Sequence, residues 1–154
     1  MTKKITIAIS LMLLMGTAQA EIPKNIQRQI IDYQIEREAY RQDVDPALIK
    51  AIILHESGFN KRAKSNAGAY GLMQVRFSTW KPKQHCNLKH ASDLYWPSTN
   101  LKCGIYVFKK YYKLSGGNLR RTLKFYNAGP YNKSKTAGLA YAEKVLLTYA
   151  HRSF

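Results

Sequence analysis

One apolar segment constrains the fold of this chain more than any other feature. Residues 47–54 have the sequence ALIKAIIL, and Lys50 is the only charged residue among them. The preceding Asp45-Pro46 indicates a helix start, because the carboxylate can cap free backbone amides and proline is favoured at the first helical position. A helix that is apolar on nearly all sides is normally buried. The sequence therefore predicts a central buried helix from residue 46 to about residue 57, ended by Gly58.

The rest of the chain indicates helices and shows no convincing alternating strand. Along the first predicted helix, one side carries Ile26, Ile30, Tyr33 and Arg37, with Ile31 and Ile35 adjacent, and the remaining charges indicate a solvated outer face. Two short helical pieces are expected after the central helix, followed by an irregular segment over 84–96. The predicted boundaries are 21–42, 70–75, 78–83, 97–114, 119–127 and 139–151. The expected fold class is all-α with short connections.

The first twenty residues have the pattern of an export signal. Lys3 and Lys4 precede an apolar run over residues 5–15, and Ala18 and Ala20 supply the small residues of a cleavage site. The run is about 11 residues long, whereas a membrane-spanning helix needs about 20. We therefore expect cleavage after Ala20, export to the periplasm or beyond, and no membrane anchor afterwards. The remaining 134 residues, 154 minus 20, suit one domain over 21–154.

The chain is strongly basic. Its formal charge of +16 becomes +14 when Lys3 and Lys4 are removed, because every acidic residue follows the cleavage site. Such an excess of positive charge suits an anionic partner, and nucleic acid, anionic lipid and acidic wall polymer are the candidates. Export argues against nucleic acid. A well-solvated basic surface without a special partner is the alternative, and we expect a monomer.

The chain contains two cysteines, Cys86 and Cys103. An even number in an exported chain predicts a disulfide. Closing a loop of about 18 residues would stabilise the fold by about 3 kcal/mol. Without clustered histidines the two cysteines make a poor metal site, so we expect no metal and no cofactor.

Glu56 is the strongest candidate for a catalytic residue. It falls in the last turn of the buried helix, where desolvation and the negative end of the helix dipole both raise the pKa of a carboxyl group. A carboxylic acid that stays protonated near neutral pH can protonate the leaving oxygen of a glycosidic bond. The alternatives are a surface glutamate just past the buried helix, or one in a salt bridge with Lys61 or Arg62. Among the later acids, Asp93 is expected to cap a turn and Glu143 to be a surface charge.

Two blocks of sequence resemble a known family. Residues 55–60, HESGFN, with Ala63, Ser65 and residues 68–75, GAYGLMQV, are similar to the first motif block of the soluble lytic transglycosylase catalytic domain. Residues 126–129, YNAG, are similar to its second block, and the resemblance covers about residues 44–148. It implies a lysozyme-like helical fold with one catalytic glutamate, here Glu56.

The same resemblance implies a reaction and a set of binding residues. The reaction is cleavage of the β-1,4 bond between N-acetylmuramic acid and N-acetylglucosamine in peptidoglycan, with closure of a 1,6-anhydro ring in place of attack by water. The binding residues have alternatives: loop capping for Ser65, backbone bonding for Gln74, and core packing for Met73 and Tyr141. The implied substrate-binding set is Ser65, Met73, Gln74, Tyr126, Asn127 and Tyr141.

The chain departs from the family pattern in two places and leaves other functions open. Residues 75–77, VRF, stand where the family usually has a proline, and residues 137–138, AG, stand where it has an acid. A lysozyme-type hydrolase that uses Glu56 with water is one alternative, and a non-enzymatic wall-binding or assembly protein is another. A small lytic domain also resembles the accessory enzymes that open the wall for secretion systems, pili or conjugation machines, which is an analogy at family level.

Overall fold

A computed structural model describes residues 22–78 and 85–154. Within these ranges it has five α-helices, a 3-10 helix and a two-stranded hairpin. The elements are α1 Lys24–Arg41, α2 Pro46–Ser57, β1 Ala69–Tyr70, β2 Val75–Arg76, the 3-10 helix Ala91–Tyr95, α3 Pro97–Leu114, α4 Leu119–Ala128 and α5 Leu139–His151. The all-α prediction is confirmed apart from the hairpin. The predicted export signal over 1–20 and nearly all of the helix predicted over 78–83 lie outside the described residues.

α2 is the predicted central helix, and its observed bounds match the prediction. The Asp45 carboxylate accepts a hydrogen bond from the Ala47 amide at 2.8 Å, and Gly58 ends the helix in the left-handed conformation with φ 56°. The helix packs against α1 and α5, which places its last turn within the domain. Its buried residues are Leu48, Ile49, Ala51, Ile52 and Ile53.

The segment after α2 is a hairpin, so the short helix predicted over 70–75 is wrong. Gly71 has φ 71° and Gln74 has φ 48°, and neither value fits a right-handed helix. A Cβ atom at Gly71 would lie 2.3 Å from the Asn100 side chain, because the turn is pressed against α3. The strands are antiparallel, with Ala69 opposite Arg76 and Tyr70 opposite Val75.

A buried asparagine joins this hairpin to the helices. Asn100 on α3 is fully buried, and its Nδ2 donates to the carbonyls of Tyr70 at 2.7 Å and Leu94 at 2.8 Å. Its Oδ1 accepts from the Met73 amide at 2.8 Å. Because a buried polar group without partners is costly, these three bonds fix the turn between β1 and β2 in one place.

The segment before α3 is more ordered than predicted. Ala91–Tyr95 forms a 3-10 helix, and the Asp93 carboxylate accepts from the amides of Lys89 and His90 at 2.7 and 2.9 Å, which confirms its capping role. The predicted disulfide joins Cys86 to Cys103 on α3, with Cα atoms 5.6 Å apart.

α1 has apolar residues on two faces. Ile31, Ile35 and Ala39 are buried in the core. The side that the sequence singled out, with Ile26, Ile30 and Tyr33, is exposed to solvent. Over residues 22–78 and 85–154, the helices all lack the combination of length and apolar character that crossing a bilayer requires.

Candidate active site

Glu56 lies in the last turn of α2 and is mostly buried. Desolvation raises the pKa of its carboxyl group to about 7, and the nearby Tyr141 hydroxyl offsets only part of that effect. The raised pKa expected from the sequence is therefore confirmed. In the part of the chain that the structure describes, Glu56 forms no salt bridge, so the alternative pairing with Lys61 or Arg62 is not observed.

Two tyrosine side chains surround this carboxyl group. Burial raises the pKa of Tyr126 on α4 and of Tyr141 on α5 well above the ordinary value, and the nearby Glu56 charge raises both further. The Tyr126 hydroxyl donates to the Met73 carbonyl at 2.8 Å. The Tyr141 hydroxyl interacts with Glu56, yet among the described residues its buried oxygen has no well-aligned hydrogen-bond partner. Tyr141 therefore holds a proton that it can donate to an ionised Glu56.

The turn between β1 and β2 is bonded to the end of α2 that carries Glu56. The Ser57 hydroxyl donates to the Leu72 carbonyl at 2.7 Å, which ties the end of α2 to the turn. Ser57 and Asn100 were not among the residues expected from the sequence. The role of Ser57 could have been predicted, because Ser57 adjoins Glu56 in the motif. The role of Asn100 could not, because no residue near Asn100 in the sequence indicates that it holds a turn 27 residues away.

A cavity of about 210 Å³ lies beside Tyr126. Gln74, Asn127 and Gly129 also line it, as expected for a helix that ends at a glycine-proline break. Arg76 is exposed and lines the same cavity, so the departure from the family proline brings a cation to this wall. The sequence had marked Arg76 only as a departure.

Three of the expected binding residues form internal contacts. The Ser65 hydroxyl accepts from the Ala69 amide at 3.1 Å, which is the loop-capping alternative. Gln74 Nε2 donates to the carbonyls of Gly71 at 3.1 Å and Ala63 at 3.3 Å, which is the backbone-bonding alternative. Met73 is fully buried, and its side chain has no surface to offer a ligand. We expected the Met73 side chain to contact the substrate. The structure corrects this expectation, because the side chain packs against Gly104 on α3.

The other described acids are engaged away from Glu56. Glu143 pairs with Arg120 at the surface, and Asp93 caps the 3-10 helix. Asp43 and Asp45 stand at the opposite end of α2, about 17 Å along the helix axis from Glu56. The acids of α1 pair with basic residues, in the pairs Asp32–Arg28, Glu36–Lys50 and Glu38–Arg41. The site thus offers one carboxyl group, where a paired-acid glycosidase needs two.

Two other features bear on this site, namely possible metal ligands and a larger groove. Over the two described ranges, no three His, Cys, Asp or Glu side chains are grouped in a way that could hold a metal ion. A larger groove of about 910 Å³ lies between the start of α2 and α3, lined by Val44, Leu48, Phe108 and Lys113 among others. Glu56 lines neither this groove nor the cavity beside Tyr126, so the volume of a cavity does not by itself identify the site.

Comparison with known proteins bears on the family and the fold. The model of the transglycosylase SLT domain family matches residues 33–146. The 70 kDa soluble lytic transglycosylase of Escherichia coli is similar with a TM-score of 0.54 and 24% identity, over 77% of this chain and 18% of that one. The complex of that 70 kDa enzyme with bulgecin A is similar with a TM-score of 0.53 and 24% identity, over 77% of this chain and 18% of that one.

A second solved structure is an inactive mutant of lytic transglycosylase Slt from Pseudomonas aeruginosa. It is similar with a TM-score of 0.55 and 21% identity, over 79% of this chain and 21% of that one. The chain thus spans about a fifth of the length of the solved proteins that it matches. The expected lysozyme-like helical fold is confirmed.

Proposed function

The chain belongs to the transglycosylase SLT domain family, and from that premise we propose that it is an exported peptidoglycan lytic transglycosylase. The bond cleaved is the β-1,4 bond between N-acetylmuramic acid and N-acetylglucosamine. The product ends in 1,6-anhydromuramic acid.

One observation carries this proposal. Burial raises the pKa of the Glu56 carboxyl group to about 7, and this value lets the group hold a proton near neutral pH and also release it. Because no second carboxyl group adjoins it among the described residues, the same group has to act first as acid and then as base.

The proposed reaction conserves atoms without water. Protonated Glu56 donates its proton to the glycosidic oxygen, the bond from that oxygen to muramyl C1 breaks, and the N-acetylglucosamine end leaves as an alcohol. The Glu56 carboxylate then removes the proton of the muramyl 6-hydroxyl as that oxygen bonds to C1. Glu56 ends protonated and ready for another cycle.

The surrounding residues suit these steps. The Tyr141 hydroxyl can donate to Glu56 while it is ionised between the two steps, which limits the cost of a buried charge. Tyr126 and Asn127 are proposed to contact the glycan from α4, Gln74 from the turn between β1 and β2, and Ser65 from the loop before β1. Arg76 on the same cavity wall suits the carboxylates of peptide stems.

Export and cellular role are further parts of the proposal. We assign residues 1–20 to a cleaved signal peptide and 21–154 to one lytic domain that acts in the periplasm. Local opening of the wall for a secretion, pilus or conjugation apparatus is the proposed role, and it is supported by the small size of the domain and by analogy with the family.

Release of soluble fragments from purified sacculi tests this function. Wild-type protein should release fragments, and Glu56→Gln should release none while still sedimenting with the sacculi. Glu143→Gln is the matched control, because Glu143 is a surface acid paired with Arg120, and it should retain activity. Equal release by wild type and Glu56→Gln would refute catalysis by Glu56, and binding without release by either would indicate a non-enzymatic wall-binding protein.

A further inference from the structure

The outer face of α1 carries an apolar stripe that the domain leaves uncovered. Ile26, Ile30, Tyr33, Arg37 and Tyr40 follow one another at alternating spacings of four and three residues. This is the heptad spacing of a helix that packs along another helix. The four apolar members are between 39% and 73% exposed. Because the inner face of α1 is already buried in the core, the helix has a second apolar face without a function in the fold.

A groove extends the stripe toward α3. Its volume is about 360 Å³, and Ile22, Ile30, Tyr95 and Trp96 supply apolar walls. Trp96 is 69% exposed, which is unusual for a tryptophan unless its ring serves a contact. Stripe and groove share Ile30 and so form one surface, which we call the α1 face.

A buried polar atom of one residue that lines this groove lacks a partner. Gln34 lines the groove, and its Oε1 is buried with no hydrogen-bond donor among the described residues. Leaving a buried acceptor unpaired costs about 1–3 kcal/mol. Because this atom is closed to solvent, a ligand can reach it only after the Gln34 side chain turns toward the groove. A peptide side chain or backbone amide can then supply the missing donor, whereas hydrocarbon cannot.

The charge around the α1 face is one-sided. Arg37, Lys61 and Arg62 form no salt bridge within residues 22–78 and 85–154, and Lys61 and Arg62 line the groove. The Arg37 guanidinium stands 5.9 Å from the Tyr33 ring centre, on the stripe itself. The acids of α1 are already neutralised by basic partners on α1 and α2. A ligand that covers this face therefore meets unpaired positive charge.

We propose that the α1 face docks a helical segment of a partner protein that has apolar residues at heptad spacing and acidic residues along its flanks. The stripe runs over 15 residues, and its ends lie about 21 Å apart along the axis, which corresponds to a helix of about four turns. Acidic flanks would pair with Arg37, Lys61 and Arg62, and a side-chain donor would satisfy Gln34 Oε1. Such helix-in-groove docking is a recurring mode of recognition.

Two other occupants fit the same face less well. A second copy of the chain would bring the same unpaired cations, Arg37, Lys61 and Arg62, to the interface from both sides, and like charges are unfavourable there. An anionic membrane would accept the stripe and the cations but would leave Gln34 Oε1 unpaired. The α1 face includes none of Glu56, Tyr126 and Tyr141, so docking is separable from the proposed catalysis.

A synthetic peptide as long as α1 tests the proposal, with leucine at the heptad apolar positions and glutamate at the flanking ones. Fluorescence anisotropy should show that it binds wild-type protein, and that its lysine-flanked counterpart does not. Ile30→Ser and Arg37→Glu should each weaken binding about tenfold or more. The matched controls Leu147→Ser and Lys133→Glu change exposed residues away from this face and should bind like wild type. Binding that ignores the flanking charge, or that survives Ile30→Ser, would overturn the proposal.

Three further measurements complete the test. The far-UV circular dichroism melt of Ile30→Ser should match wild type, because Ile30 is 43% exposed. Sedimentation of a wild-type dimer that Ile30→Ser dissociates would assign the face to a second copy and overturn the proposal. Binding to phosphatidylglycerol vesicles without binding to the acidic peptide would assign the α1 face to a membrane, and this result would also overturn the proposal. Glu56→Gln should bind the peptide like wild type. Loss of the proposed catalysis can therefore be distinguished from loss of peptide binding at the α1 face.

Discussion

Replacing Glu56 by glutamine should stabilise the protein at neutral and alkaline pH but not in acid. Burial raises the pKa of the Glu56 carboxyl group to about 7, from an ordinary value of 4.5. Between these two values the folded protein holds the proton and the unfolded chain has lost it. Ionisation of the buried group as the pH rises therefore lowers the free energy of unfolding.

The magnitude follows from the size of the pKa difference. One pKa unit corresponds to about 1.4 kcal/mol, so the rise from 4.5 to about 7 amounts to about 3 kcal/mol. This cost is absent below about pH 4.5, grows through the interval and is complete above about pH 7. Glutamine has nearly the same shape and no charge, so the variant escapes the cost at every pH.

Urea unfolding followed by circular dichroism, at intervals between about pH 4 and pH 8, measures this difference. The stability of Glu56→Gln minus that of wild type should be small and constant in acid and should rise by about 3 kcal/mol toward pH 8. Taking the difference removes the titration of other groups that both proteins share. Glu143→Gln controls for replacing a carboxylate by an amide at an exposed site. A difference that does not change with pH, or that falls as pH rises, would refute a desolvated Glu56.

Three other predictions address the surroundings of the site. Tyr141→Phe removes a hydroxyl that lowers the pKa of Glu56, so the alkaline limb of the pH–rate profile should move to higher pH while the rate falls; an unmoved limb would contradict this contact. Asn100→Ala leaves the Met73 amide and two carbonyls unpaired, and should lower the free energy of unfolding by about 3 kcal/mol or more in urea titrations. Chemical reduction of the Cys86–Cys103 disulfide should lower the free energy of unfolding by about 3 kcal/mol, and the reductant should leave the stability of a Cys86→Ser, Cys103→Ala variant unchanged.

The helix ends were predictable because their signals are local. Asp45 and Gly58 bracket α2 through a side-chain cap and a left-handed terminus, and each depends only on adjacent residues. The raised pKa of Glu56 was predictable for the same reason, since it follows from a place in the last turn of an apolar helix. The presence of Tyr126 and Tyr141 beside that carboxyl group depends on how α4 and α5 pack, and it was expected only from family resemblance.

The hairpin was missed because its conformation is imposed from a distance. Leu72, Met73 and Gln74 are good helix formers, so local propensity favoured a helical turn over residues 70–75. The Met73 amide is instead bonded by Asn100, and Gly71 adopts a positive φ so that the turn can approach α3. The roles of Ser65 and Gln74 were uncertain for a related reason, because only the folded loop shows which backbone groups their side chains bond.

The central claim is that Glu56 serves as acid and then as base, with no water entering the product. Digestion of purified peptidoglycan in heavy-oxygen water, followed by mass spectrometry of the muropeptides, tests it directly. The predicted result is 1,6-anhydromuramic ends that carry no heavy oxygen and that are absent with Glu56→Gln. Reducing ends that each contain one heavy oxygen would show that Glu56 activates water, and would contradict the account.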